Sequence, residues 1–141
     1  VMAVPMLDDE TVLLIREYSA GVDRYELALP KGVMEAGEEP LSAAMREMQE
    51  EVGFGARRLT LLKEMTAIPG YLNGSMFCVL GQDLYPSTAV GDEPEPLEVV
   101  PFPLAELNDL VMRQEITEAR SIAALFLTRE YLAGRLSLPP L

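Results

Sequence analysis

Residues 32–54 read GVMEAGEEPLSAAMREMQEEVGF: a glycine-bearing approach, a proline, a run with helical periodicity and a closing glycine. Together these signals dictate a loop, a short helix and a second loop. Pro40 suits the first helical turn, where its missing N–H has no partner to lose and its fixed φ is already helical. Glu38 and Glu39 place negative charge at the helix start, where the macrodipole favours it. Gly53 follows the last turn, the usual place for a left-handed residue. At about 100° per residue, Leu41, Ala44, Met45, Met48 and Val52 fall on one side, while Glu47, Glu50 and Glu51 crowd an adjacent arc.

Like charges one turn apart destabilise a helix by about 0.2–0.5 kcal/mol per pair, so something must offset three neighbouring carboxylates. A solvated acidic face is the ordinary explanation. Arg46, one turn before Glu50, can pin that carboxylate, and the tight GVMEAGE loop is a poor match for a plain surface helix. The alternative is a divalent-cation site built from hard oxygen ligands, suited to Mg²⁺ or Mn²⁺ and completed by water and substrate phosphates.

The segment resembles the Nudix box, the signature of a family of pyrophosphohydrolases. Gly32, Glu38, Arg46, Glu47, Met48, Glu50, Glu51, Gly53 and Phe54 fill every fixed position of that pattern without a departure. The resemblance implies a Nudix α/β/α sandwich with a mixed sheet, the box forming its loop-helix-loop. It implies metal ligation by Glu47, Glu50 and Glu51, with the backbone carbonyl of Lys31 as a further oxygen. Arg46 is expected to orient Glu50, and Gly32, Glu38 and Gly53 to shape the box.

The rest of the composition narrows the chemistry further. The chain has 141 residues, enough for one domain with a real core, and residues 1–141 are read as a single unit. It contains no histidine, which excludes His-dependent triads, His-ligated zinc and His general bases. A net charge of −12, from 11 basic and 23 acidic residues, argues against nucleic acid as partner. Such an acidic chain acting on an anionic substrate needs cations between them. The single cysteine, Cys78, sits in an apolar run and reads as a core residue, in keeping with a reducing cytoplasm. No run of about 18 apolar residues exists to span a membrane, and no secretory signal opens the chain.

Apolar, β-branched runs at residues 1–6 and 11–18, separated by Asp8, Asp9 and Glu10, read as a hairpin with a longer loop. Further strands are expected at 25–30, 58–67, 75–85 and 97–102, and helices at 103–112 and 117–132, the last ending at Gly134. Residues 90–96, VGDEPEP, are too rich in proline and acid for regular structure. Strands punctuated by helices in this order give a mixed α/β class.

Outside the box, the chain is similar to the ADP-compounds hydrolases of the ADP-ribose pyrophosphatase branch. The similarity runs through residues 15–18, 25–27, 68–71, 82–86, 91–96 and 118–127. It implies cleavage of ADP-ribose, NADH and adenosine-capped polyphosphates with release of AMP. The rivals are another nucleoside-diphosphate compound, a dinucleoside polyphosphate or coenzyme A derivative, or a nucleotide-sensing module without turnover. In that branch the general base often lies in an acidic loop after the box. Glu93 is the matching position, with Glu95 or a box glutamate as alternatives and a solvated surface loop as the plain reading. Arg16 and Glu26 are candidates for the nucleotide end and Tyr71 for stacking; a surface charge, a cross-strand pair and a loop anchor are their ordinary counterparts. The branch also implies a homodimer, built in part by a segment that precedes the first strand and is absent from this chain.

Overall fold

The computed structural model describes residues 1–138. Its strands, in chain order, are β1 (Met2–Pro5), β2 (Thr11–Ser19), β3 (Arg24–Ala28), β4 (Phe54–Thr66), β5 (Ser75–Pro86) and β6 (Glu98–Pro103). Its helices are α1 (Pro40–Glu51), α2 (Leu107–Met112), which follows a 3₁₀ turn at Leu104–Glu106, and α3 (Ala119–Leu132).

Two three-stranded sheets form, in the orders β1-β5-β4 and β3-β2-β6. The first is mixed, with β1 parallel and β4 antiparallel to β5; the second is antiparallel throughout. Isolated bridges from Met2 to Lys31 and from Met6 to Val12 couple the two through β1. The hairpin expected from residues 1–18 is therefore corrected. Residues 1–6 are buried on both faces, as an interior strand requires, and β1 finds its ladder with β5 while only Met6 bridges back to β2.

Alternation along the strands divides the core into two layers. Met2, Val4, Val12, Leu14 and Cys78 pack with Leu107, Leu110, Ala124 and Leu125 of α2 and α3. Ala3, Leu13, Ile15 and Val79 pack with Ala43, Ala44, Met48 and Val52 at α1. Helices thus cover opposite faces, which gives the expected sandwich. Cys78 lies in the core, and burial pushes its thiol up to about 12.

The helix boundaries follow the local chemistry. Pro40 opens α1, and Gly53, at φ +75°, turns the chain straight into β4. Strand β4 starts at Phe54, earlier than the expected residue 58, and Gly55 within it makes room for a cross-strand ring. A Cβ there would meet the Tyr85 ring at 2.5 Å. The apolar face of α1 is also shifted: Leu41 is exposed and Ala43 is buried in its place. Among the described residues, no helix is long and apolar enough to cross a membrane.

Candidate active site

The loop before α1 is pinned against β1. Ala3 N–H donates to the Pro30 carbonyl at 2.9 Å and Gly32 N–H to the Val1 carbonyl at 3.1 Å. This lays residues 30–32 across the buried end of the α1 carboxylates. Gly32 runs so close to Glu47 that any side chain would collide with it: a Cβ at position 32 would stand 2.1 Å from Glu47 Oε1.

Glu47 and Glu51, one turn apart on α1, are each only 5% exposed. A solvated acidic face is thereby excluded. Burial raises the pKa of Glu47 above the usual carboxylate range, although Arg46 pulls it the other way. Burial likewise pushes Glu51 up to about 8, opposed by the Lys31 backbone N–H, which donates to Glu51 Oε2 at 3.0 Å. Glu50 is less enclosed, with its side chain 16% exposed.

Arg46 holds more than the one carboxylate expected of it. Its Nε and Nη2 donate to the two oxygens of Glu38 at 3.1 and 3.0 Å, a two-pronged pair, and Nη2 also reaches the Val33 carbonyl at 3.0 Å. Its Nη1 donates to Glu47 Oε1 at 2.6 Å and to Glu50 Oε2 at 3.2 Å. Glu38 in turn accepts from Glu35 N–H at 2.9 Å, and these donors, Arg46 first, hold its carboxyl below the usual range. One guanidinium therefore ties the loop to the helix and spaces two of the three neighbouring anions.

Across from α1 the 90–93 segment closes a cleft of about 650 Å³, whose walls include Lys31, Gly32, Glu47, Glu50 and Glu93. Gly91 permits that approach, since a Cβ there would already touch Glu50 Cβ at 3.3 Å. Glu93 is half-buried, and its carboxyl is raised first by burial and then by the charges of Glu17 and Asp92. Lys31 Nζ donates to Glu17 Oε2 at 2.9 Å.

Glu17 went unnoticed in the sequence. Strand alternation was the available signal, because Leu13, Ile15 and position 17 share a face of β2 and the first two pack toward α1. Arg16, Glu26 and Tyr71, by contrast, line none of this cleft. Arg16 pairs with Glu98 opposite it on β6 at 3.1 Å; Glu26 bonds Arg24 and the Thr117 hydroxyl; Tyr71 stands 89% exposed in the β4–β5 loop. Their nucleotide-binding and stacking roles do not follow from the placement of these side chains.

The donor set fits a hard divalent cation. Glu47 and Glu51 are acidic oxygens withdrawn from water, and among the described residues Glu51 accepts one hydrogen bond, from Lys31 N–H; burial disfavours the charged form of both, a penalty that a cation beside them would offset. Among the described residues, no three Asp, Glu, Cys or His side chains are already gathered at cation-binding spacing. The Lys31 backbone lies beside these carboxylates, its N–H donating to Glu51 at 3.0 Å.

Residues 1–125 match the NUDIX domain family. The chain is 50% identical over 135 residues to the ADP compounds hydrolase NudE of Escherichia coli (strain K12), covering 96% of this chain and 72% of that protein. It is 27% identical over 127 residues to the ADP-ribose pyrophosphatase of Bacillus subtilis (strain 168), covering 89% and 69% respectively. A crystal structure of an ADP compounds hydrolase superposes with a TM-score of 0.90 at 49% identity, over 96% of this chain and 74% of that one.

Proposed function

The chain belongs to the Nudix family, and on that premise we propose that it hydrolyses the pyrophosphate bond of ADP-containing compounds such as ADP-ribose, NADH and adenosine-capped polyphosphates, releasing AMP. One water adds to phosphorus, the bond to the bridging oxygen breaks, and ADP-ribose yields AMP and ribose 5-phosphate. The observation that carries this reading is the convergence of Glu93 with Glu47 and Glu50 on the walls of one cleft, although Glu93 lies far along the chain from the box.

Divalent-metal dependence is general to the family, and we assign Mg²⁺ or Mn²⁺ to Glu47, Glu50 and Glu51, with Lys31 beside them. When bound, such an ion neutralises phosphate charge and makes water more acidic. The side chains supply the remainder. Arg46 holds Glu47 and Glu50 at fixed spacing, while Glu38 holds Arg46. Glu93, with its carboxyl raised by burial, accepts the proton of the attacking water as general base. Lys31 Nζ, tethered by Glu17, adds positive charge to a wall that otherwise repels a diphosphate.

Incubation with Mg²⁺ and, separately, ADP-ribose, NADH or diadenosine triphosphate, followed by quantification of AMP, tests the assignment. AMP from ADP-ribose is expected. No AMP from any of the three would overturn it.

A further inference from the structure

Residues 90–97 bring Glu93 to the cleft, and at the far end of the segment Leu97 packs on the core layer beside α1. Ala89 N–H donates to the Gln49 carbonyl at 3.0 Å before the segment, and the β6 ladder begins at Glu98 after it. Between those ends, among the described residues, no backbone hydrogen bond ties the segment to the rest of the chain. A single side-chain bond does so: the Tyr25 hydroxyl donates to Glu95 Oε1 at 2.8 Å.

That contact is braced on both sides. The Tyr25 ring packs edge-to-face on Tyr18, with centroids 5.6 Å apart and planes at 66°, in the β2–β3 register that sets the two tyrosines opposite each other. The Tyr18 hydroxyl bonds Asp23. On the other side, Pro94 and Pro96 flank Glu95, and each fixes its own φ near −65°. Holding Glu95 therefore restricts Glu93, which is separated from it by Pro94 alone.

We propose that Tyr25 is a positioning residue for the hydrolysis, its hydroxyl holding Glu95 and, through the proline-stiffened loop, the Glu93 carboxylate in the cleft. This rests on the assignment of Glu93 as base. Tyr25 is 55% exposed and its bond to Glu95 lies at the surface, so its loss changes how often the loop is in place far more than whether the chain folds.

Steady-state hydrolysis of ADP-ribose with Mg²⁺, together with thermal melting, tests the idea. Tyr25→Phe and Glu95→Ala are each expected to lower kcat about tenfold, the scale of one hydrogen bond, with KM within about twofold and melting unchanged. Glu95→Gln keeps an oxygen acceptor for the hydroxyl and is expected to retain activity. Tyr25→Phe added to Glu93→Gln is expected to cost nothing further, because it acts through Glu93. Wild-type kcat for Tyr25→Phe, a full extra tenfold loss in the Glu93→Gln background, or an inactive Glu95→Gln would overturn the positioning role. An inactive wild type, or an undiminished Glu93→Gln enzyme, would instead overturn the assignment on which it rests.

Discussion

Gly32 and Glu47 occupy space that admits no side chain between them, since a Cβ on residue 32 would stand 2.1 Å from Glu47 Oε1. The contact is a collision with a nearly buried carboxylate held by Arg46, so neither partner can move freely. Gly32→Ala is expected to displace Glu47 or the loop, lowering kcat on the order of a hundredfold and stability by about 1–3 kcal/mol. Kinetics alongside urea unfolding check this; wild-type kcat in a folded Ala variant would show that the position of Glu47 is immaterial.

Arg46 should resist even conservative replacement. Lysine keeps the charge but cannot donate simultaneously to both Glu38 oxygens, to Val33 and to two further carboxylates. Arg46→Lys is expected to reduce stability by about 1–3 kcal/mol and kcat by at least about tenfold. A lysine variant equal to wild type in denaturant midpoint and turnover would mean that charge alone suffices.

Removal of divalent metal should make stability fall with rising pH, and Glu51 should be the main cause. Its folded pKa is raised to about 8 from an ordinary 4.5. The unfolded chain therefore releases this proton first, so stability is fullest below about 4.5 and is lost as pH rises through about 8. In EDTA, Glu51→Gln is expected to melt above wild type at pH 8 and level with it at pH 4.5, with Mg²⁺ narrowing the gap by stabilising only the wild type. Melting curves that stay parallel across this range would remove Glu51 from the role.

Glu93→Gln should separate chemistry from folding. Loss of a general base typically lowers rate about 10²- to 10⁴-fold. The amide is expected to fold as well as wild type, because the half-buried acid it replaces is raised by burial in any case. Turnover within twofold of wild type at saturating Mg²⁺ would place the base elsewhere.

The sequence by itself determined the loop-helix-loop, because its instructions are local. Pro40 and Gly53 mark the ends of α1 through backbone restrictions that act wherever they stand, and the spacing of Glu47, Glu50 and Glu51 is a property of any α-helix. Only the tertiary structure decided which of those carboxylates leave water. Leu41 lay on the expected apolar face yet is exposed, while Glu47 and Glu51 are buried, since the loop pinned to β1 covers their side of the helix. Likewise β1 ladders with β5 and not with its neighbour in sequence, and its residues are buried on both faces, an outcome set by partners distant in the chain. Glu17, Tyr25 and the cleft wall at Glu93 come together through strand pairing and loop packing across most of the chain; alternation along β2 gives the face on which Glu17 lies, but no local pattern names partners so far away in sequence.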